Sequence, residues 1–291
     1  MTYDLTVKTY LRRFEDLLGR YILDYDCPID SIKQAVSYSI LDGGKRIRPL
    51  LVYLGAELCG REAKEVDYFA LGVEMIHSYS LVHDDLPCMD NDVLRRGKPT
   101  THVKFGQDMA VLAGDGLLNM AFETLLLCCN SASDVKAVKY VADCAGIRGM
   151  IGGQALDVAN TDEQVDLDSI QLLNSLKTGK LIKAALVGSC IKCGADDKLI
   201  EAVEEYAECI GIIFQLVDDL LDLHSTSAEL GKSIGKDAQQ NKKTYTAVAG
   251  EERCRQTIEE MLHRAIEAIS PYGSRADNLI QFAKYLTHRL Y

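Results

Sequence analysis

An apolar stretch late in the chain, residues 210–223, constrains the fold more than any other. Within it, Gln215, Asp218, Asp219 and Asp222 are spaced at i, i+3, i+4 and i+7, and nearly all other positions are aliphatic or aromatic. In a helix this spacing places the four polar side chains on one face. A helix that is apolar on its other sides is expected to be buried, and buried carboxylates repel each other unless cations join them. The stretch therefore predicts a buried helix whose carboxylates bind cations, unless this helix end simply reaches solvent.

A second cluster of charged residues lies within residues 77–101. A helix-periodic segment leads to a helix end that Pro87 breaks, and a loop follows. The charged residues around this end are Asp84, Asp85, Asp90, Asp92, Arg95 and Arg96. Magnesium usually binds proteins through one or two carboxylates plus substrate phosphates, and arginine holds phosphate oxygens with two parallel hydrogen bonds. Alone, this cluster would suit a solvated, self-neutralising loop; together with the first it predicts a metal-bridged phosphate site.

Helical periodicity runs through almost the whole chain. Apolar residues recur at the spacing of a helix, and no alternating runs are bounded by Asn-Gly or Asp-Gly turns, so the fold is predicted to be all-α with about ten or more helices. The early helices are expected to end near residue 23 and to span 30–40, 49–58 and 67–85. Gly43 and Gly44 are expected to present Lys45 and Arg48 from a loop. No linker rich in Pro, Gly or Ser divides the chain, so residues 1–291 are predicted to form one domain.

The charge balance disfavours some classes of protein. The 291 residues include 43 acidic and 32 basic side chains, and the net charge of −11 argues against a nucleic-acid-binding protein or a basic membrane-surface protein. An anionic substrate would be repelled by this excess of acid. Local clusters of Lys and Arg, together with bound divalent metal, must therefore reverse the electric field at the site.

The distribution of apolar residues and cysteines bears on location. Residues 1–22 are charged and helix-periodic without an apolar signal core, and no later stretch is expected to reach membrane-spanning length, so no membrane span is predicted. Ten cysteines in a chain of this length do not form the framework of a small secreted domain, which favours a reducing, cytoplasmic location. Cys190 and Cys193 lie at i, i+3 in an apolar segment, where buried small hydrophobic side chains are a better explanation than zinc ligands.

The acidic clusters carry the sequence motifs of a known family. The segments DDLPCMD (84–90) and DDLLD (218–222) resemble the two aspartate-rich motifs of the trans-isoprenyl diphosphate synthases. Other similar segments follow in the family's order, namely LDGGKRIRPLL (41–51), LRRGKPTTH (94–102), GGQALD (152–157), KTG (177–179), FQLVDD (214–219) and LGKSIGKD (230–237). The resemblance implies one helical bundle of the isoprenoid synthase type around a central cavity. It also implies a homodimer that condenses isopentenyl diphosphate with allylic diphosphates.

The resemblance also implies roles for individual residues. The metal ligands that it implies, for three Mg²⁺ ions which Mn²⁺ can replace, are Asp84, Asp85, Asp90, Asp218, Asp219 and Asp222. The residues implied to hold isopentenyl diphosphate are Lys45, Arg48, His77 and Arg96. The residues implied to bind the allylic diphosphate are Lys177, Thr178, Gln215, Arg95, Lys232 and Lys242. The first four of these are also the expected catalytic residues.

Product length is expected to depend on Tyr79 and Ser80, which precede the first aspartate cluster. Tyr79 lies five residues before Asp84, so its ring would form a floor if a prenyl tail ran along this helix. One helical turn rises about 5.4 Å, which is comparable to one isoprene unit, so geometry alone leaves the product length open. An aromatic residue here, combined with the two extra residues in DDLPCMD, resembles the bacterial farnesyl diphosphate synthases, which implies (2E,6E)-farnesyl diphosphate as product. A geranyl or geranylgeranyl diphosphate synthase is the alternative.

Three other functions remain open at this stage. A terpene cyclase would also use an aspartate-rich motif, but it would not need Lys45, Arg48 and Arg96 for a second diphosphate. His83 and Asp84 match the HD dyad of metal-dependent phosphohydrolases, although that class does not explain the segments DDLLD and LRRG. A non-catalytic regulatory partner of a prenyltransferase is disfavoured by the intact aspartates of both motifs.

Overall fold

The computed structural model describes residues 2–41, 43–159, 166–224 and 245–288. Over these ranges the regular secondary structure is helical apart from one short hairpin, which confirms the predicted all-α fold. The α-helices are α1 (Tyr3–Asp24), α2 (Asp30–Leu41), α3 (Ile47–Leu58), α4 (Asp67–Asp84), α5 (Thr101–Phe105), α6 (Gln107–Leu127), α7 (Ala132–Ala145), α8 (Met150–Ala159), α9 (Leu167–Asn174), α10 (Lys180–Lys192), α11 (Asp197–His224), α12 (Tyr245–Ala249), α13 (Glu251–Ile269) and α14 (Asp277–His288).

The core forms where the apolar faces of the longer helices meet. Helix α4 packs mainly on α6, α11 packs mainly on α13, and α10 contacts α3, α7 and α11. Leu71 of α4, Leu186 of α10 and Ile213 of α11 are completely buried. This arrangement fixes α4 and α11, each of which carries one aspartate motif.

Helix α3 begins earlier than the sequence analysis predicted. It starts at Ile47 instead of residue 49, and Pro49 lies in its first turn, where the missing N–H of proline removes no helical hydrogen bond. Arg48 is therefore part of the helix, and the expectation that a loop presents it is wrong. Gly44 remains outside the helix with a φ of +136°, and a Cβ there would lie 2.8 Å from the Arg96 guanidinium carbon.

A two-stranded hairpin interrupts the helical fold just after the first aspartate cluster. Strand β1 (Leu94–Arg95) pairs in antiparallel register with β2 (Lys98–Pro99). Between them, Arg96 and Gly97 have φ values of +54° and +76°, and positive φ at both central residues is typical of a tight hairpin turn. The sequence analysis missed this hairpin because its two-residue strands are too short to show a periodicity.

Helix α6 corrects the expectation that no stretch reaches membrane-spanning length. By length and composition it is the one helix in the described ranges that could cross a membrane. Core helices of soluble proteins pass the same test, and α6 packs along α4 with Ala113, Leu117 and Leu125 fully buried. Part of α6 therefore belongs to the core, while Leu112, Leu126 and Leu127 of the same helix are more than half exposed.

Two glycines of α6 allow a test of this packing. A Cβ at Gly114 would lie 2.0 Å from Nε2 of His83, the residue before Asp84, whereas a Cβ at Gly116 would meet only Val36 Cγ2 at 3.7 Å. We expect Gly114→Ala to lower the free energy of unfolding by about 1–3 kcal/mol, because the added methyl group displaces the His83 ring from its contact with the Val111 carbonyl. Gly116→Ala is the matched control and should raise it by about 0.5–1 kcal/mol through helix propensity. Urea denaturation measures both, and equal effects would contradict the described contact.

Candidate active site

One large cavity brings both aspartate motifs together. Its volume is about 1520 Å³, and it is lined by the ends of α3, α4 and α11, by α8 and by the segment that joins α9 to α10. Pockets for a single small molecule usually have volumes of about 300–1,000 Å³. The cavity is therefore large enough for two substrates at once.

The first aspartate cluster is built on the C-terminal end of α4. Asp84 is the last residue of the helix, and the chain turns back so that the N–H of Asp90 donates to the carbonyl of Asp84 at 2.9 Å. Asp84 and Asp90 both line the cavity. The pKa of Asp84 is raised to about 6, mainly by burial; the nearby Lys177 opposes this rise, and the neighbouring Asp90 contributes to it. The cavity therefore disfavours the charge of Asp84 and would favour a bound cation.

Asp85 is the one predicted metal ligand in the described ranges that does not line the cavity. Its side chain is 4% exposed and accepts two hydrogen bonds from Nε of Arg95, at 2.8 and 2.9 Å, and one from Nη2 at 2.6 Å. This bidentate pair ties the hairpin to the end of α4. Arg95 lines the cavity, but its guanidinium is held by Asp85.

The second cluster lies near the end of α11, where Asp219 is buried, Asp218 is half-buried and Asp222 is exposed. Gln215, Asp218, Asp219 and Asp222 all line the cavity. Asp219 accepts hydrogen bonds from Gln215 Nε2 at 2.9 Å and from the N–H of Tyr245 at 3.2 Å. Burial raises the pKa of Asp219 to about 6, and these two hydrogen bonds oppose the rise. Asp219 thereby fixes the Gln215 amide and connects α11 to α12.

A π-helical turn, Ser175–Gly179, joins α9 to α10 and presents Lys177 and Thr178 to the cavity. Lys177 Nζ donates to Asp157 at 2.6 Å, and Thr178 Oγ1 donates to Gln215 Oε1 at 3.2 Å. Such turns are frequent at functional sites. Only glycine fits at position 153 of α8, because a Cβ there would lie 2.3 Å from the backbone nitrogen of Lys177.

A basic group of residues lines the same cavity, namely Lys45, Arg48, His77 and Arg96. The Nε atom of Arg48 is buried and no described residue accepts a hydrogen bond from it. Burial lowers the pKa of Arg48 to about 10, so it stays protonated at pH 7. Burial and the nearby arginines hold the pKa of His77 well below 6.5, so its imidazole is neutral and can donate only one hydrogen bond. A half-buried arginine with a buried, unused Nε donor fits an anionic ligand.

Tyr79 and Ser80 also line the cavity, one turn before the aspartates. The Tyr79 hydroxyl is buried and has no hydrogen-bond partner in the described ranges, and its ring meets His83 edge to face at 5.8 Å. The Ser80 hydroxyl donates to the carbonyl of His77 at 2.8 Å. Tyr79 therefore places a rigid ring in the wall, whereas the Ser80 hydroxyl is used within the helix.

Two predicted site residues, Lys232 and Lys242, lie outside the described residues. Two residues that the sequence analysis did not consider, Arg46 and Glu74, line the cavity. The signal for Glu74 was a single carboxylate in the apolar run FALGVEMI (69–76), which needs a partner if it is buried.

The carboxylates suit magnesium that arrives with its substrate. In the described ranges, no three acidic, His or Cys side chains are arranged to hold a metal by themselves. Mg²⁺ usually keeps several waters and binds through one or two carboxylates plus substrate phosphates. Oxygen donors from Asp84, Asp90 and Asp218 around one cavity fit that mode of binding.

Comparison with known proteins gives the family. Residues 29–280 match the polyprenyl synthetase family model. The chain is 42% identical over 267 residues to geranylgeranyl pyrophosphate synthase 11, chloroplastic, of Arabidopsis thaliana, which covers 89% of this chain and 75% of that protein. The chain superposes on geranyltransferase from Legionella pneumophila with a TM-score of 0.88 at 32% identity, covering 99% of this chain and 97% of that one.

A second solved structure carries ligands. Geranyltransferase from Helicobacter pylori, complexed with magnesium and isoprenyl diphosphate, gives a TM-score of 0.86 at 30% identity and covers 97% of this chain and 96% of its own. Because the family model spans most of the chain and the structural matches span nearly all of it, the chain belongs to the polyprenyl synthetase family of trans-isoprenyl diphosphate synthases.

Proposed function

We propose that this prenyltransferase condenses isopentenyl diphosphate head to tail with allylic diphosphates to make a short-chain prenyl diphosphate. The observation that carries the proposal is the shared cavity, which is lined by two carboxylate clusters and by a separate set of basic side chains. Carboxylates suit a diphosphate that binds through metal ions, and cations suit one that binds directly. Two anionic substrates can therefore bind in one cavity by different means.

The carboxylates are assigned to ionisation of the allylic substrate. Asp84, Asp90 and Asp218 would hold Mg²⁺, whose positive charge would stabilise the departing pyrophosphate. Asp219 and Asp222 would support these ligands, and Asp85 would act through its pair with Arg95. Lys177 lies close enough to lower the pKa of Asp84 and would add positive charge to the same region. The number of ions, three, is part of the proposal.

The residues around Thr178 are assigned to the allylic carbocation. The Thr178 hydroxyl and the Gln215 amide both line the cavity, and their hydrogen bond orients the two oxygens. Aliphatic side chains of α8 and α9 line it too and would exclude water from the cation. Isopentenyl diphosphate, held by Lys45, Arg48, His77 and Arg96, would attack, and the released pyrophosphate would take the proton.

The two candidate products are favoured by different observations. The relative that is 42% identical is named a geranylgeranyl pyrophosphate synthase, whereas the two geranyltransferases are 32% and 30% identical, so the comparisons favour a twenty-carbon product. Tyr79, whose ring lines the cavity, favours the fifteen-carbon farnesyl product. We therefore propose geranylgeranyl diphosphate as the product that similarity supports better, and farnesyl diphosphate as the second candidate.

The position of His83 argues against the phosphohydrolase alternative. Its Nε2 lies 3.0 Å from the carbonyl of Val111 on α6, so this nitrogen is used in packing α4 against α6. A cytoplasmic location and a homodimer remain part of the proposal. All ten cysteines are free thiols, which is compatible with a reducing compartment.

Metal removal tests the reaction and identifies the product. With Mg²⁺, dimethylallyl diphosphate and excess isopentenyl diphosphate, we expect chain elongation, and chelation with EDTA should abolish it until Mg²⁺ is restored. Mass spectrometry of the dephosphorylated products distinguishes geranylgeraniol from farnesol. Elongation that continues in EDTA would contradict the metal assignment. A folded chain that gives no elongation with metal would favour the regulatory partner.

Neutralising two adjacent aspartates should separate their roles. Asp84→Asn is expected to lower turnover by about 100-fold or more, because it removes a metal ligand. In metal-free buffer at pH 7.5 it should raise the melting temperature, since the folded-state pKa of Asp84 is raised to about 6 and its charge therefore opposes folding above that pH. The gain should vanish below about pH 4, where the carboxyl is protonated in both states.

Asp85→Asn is the matched comparison. Burial raises the pKa of this carboxyl as well, but Asp85 is hydrogen-bonded to the Arg95 guanidinium. The substitution should therefore lower the melting temperature, because Arg95 would lose its buried, charged partner. For both variants, thermal unfolding measures the melting temperature and steady-state kinetics measures turnover. Full activity of a folded Asp84→Asn variant would refute the ligand assignment.

Shortening the side chain at position 79 tests whether the Tyr79 ring limits the length of the prenyl product. Tyr79→Ala is expected to lengthen the main product by about one isoprene unit or more, because one helical turn of about 5.4 Å becomes accessible to the tail. Ser78→Ala, at the adjacent buried position that does not line the cavity, is the control and should leave the product unchanged. The same mass-spectrometric assay is used, and an unchanged product distribution for Tyr79→Ala would place the floor elsewhere.

A further inference from the structure

Glu74 is a buried carboxylate of α4 that has no role in the reaction described above. Its side chain is 2% exposed, it lies three residues before His77, and it lines the cavity. Its Oε1 accepts a hydrogen bond from Nη1 of Arg46 at 2.8 Å, and the Arg46 side chain is also 2% exposed. A buried charge pair is costly to desolvate, so a fully buried pair beside a substrate cavity calls for a reason.

The partner of Glu74, Arg46, stands between two residues of the basic group, Lys45 and Arg48. Its backbone φ is +45°, in the left-handed region that bulky residues rarely adopt. Such a conformation costs on the order of 1–3 kcal/mol and persists only where the surroundings hold it. Besides Glu74, the Arg46 guanidinium donates to Glu15 Oε1 and to the carbonyl of Ile40, both at 2.8 Å. These contacts fix the direction in which the chain enters α3.

The second oxygen of Glu74 gives an independent sign of a site. Oε2 is buried and has no hydrogen-bond partner in the described ranges, and the same holds for Nε of Arg48. Both residues line the cavity. Burial lowers the pKa of Arg48, and the negative charge of Glu74 is the strongest of the effects that raise it. Glu74 therefore acts on Arg48 through its charge and on Lys45 through the backbone of Arg46.

We propose that Glu74 is a positioning residue for the isopentenyl diphosphate pocket, which holds Arg46 in its left-handed conformation and keeps Arg48 directed toward the substrate diphosphate. This inference rests on the proposed function. It assigns Glu74 to one of the two substrates only, because the hydrogen bonds of the Arg46 guanidinium go to Glu15, Ile40 and Glu74, and none of these residues belongs to the aspartate motifs or to the π-helical turn.

The test compares two substitutions that each neutralise one carboxylate. Glu74→Gln is expected to raise KM for isopentenyl diphosphate by about tenfold or more, since the amide oxygen can still accept from Arg46 but the negative charge that strengthens this bond and acts on Arg48 is lost. It should change kcat and the KM of the allylic substrate by less than about threefold, which a general loss of stability would not reproduce. Glu57→Gln is the control, because Glu57 lies on α3 and bonds to Tyr10 and Asn278 away from the cavity. It should leave both KM values unchanged.

A second measurement does not depend on turnover. Calorimetric titration of isopentenyl diphosphate into the magnesium-free protein should show weaker binding for Glu74→Gln by the same factor, with Glu57→Gln like the wild type. Equal KM values for Glu74→Gln and the wild type would overturn the inference, as would an equal rise in the KM of both substrates. If Glu74→Gln does not fold, Glu74→Asp replaces it, since its shorter side chain keeps the charge but withdraws from Arg46, and the same selective rise in KM is expected. A wild-type chain that performs no condensation would instead refute the proposed function.

Discussion

The desolvation of carboxylates at the ends of two apolar helices is the constraint on which the rest of this structure depends. Asp84 and Asp219 sit where burial raises the pKa of each to about 6. Burying such groups lowers the free energy of unfolding, and the packing of the core must offset that loss. The extensive contacts of α4 with α6 and of α11 with α13 supply that core. The same desolvation makes the cavity attractive to cations, so the unfavourable burial and the binding capacity have one origin.

The overall net charge of −11 is distributed so that the cavity still suits anions. Two of the buried acidic groups near the basic residues have an arginine counterpart, as Asp85 has Arg95 and Glu74 has Arg46. Arg48 retains a buried donor that no described residue uses. The local arrangement of paired and unpaired groups therefore matters more for substrate binding than the total charge does.

The sequence predicted the helices and the face of α11 because these depend on short-range periodicity. Gln215, Asp218 and Asp222 line the cavity as their spacing indicated. What escaped prediction depends on contacts between distant segments. Asp85 does not line the cavity because it pairs with Arg95, which the hairpin places beside the end of α4. The conformation of Arg46 likewise depends on Glu74, which belongs to another helix. Neither hydrophobic periodicity nor motif spacing carries such information, since a motif shows which residues occur but not which of them pair.

The π-helical turn at Ser175–Gly179 has a consequence for how this region can change. A wider turn contains an extra residue, and each residue of an α-helix rotates the chain by about 100°. Losing one residue would restore regular winding and rotate everything upstream of the turn relative to α10 by that angle. Ile170 and Leu173 of α9 would then leave the cavity wall while α10 kept its packing. The helical phase between α9 and α10, set by the number of residues in the turn, is thus as much a part of the site as the identities of Lys177 and Thr178.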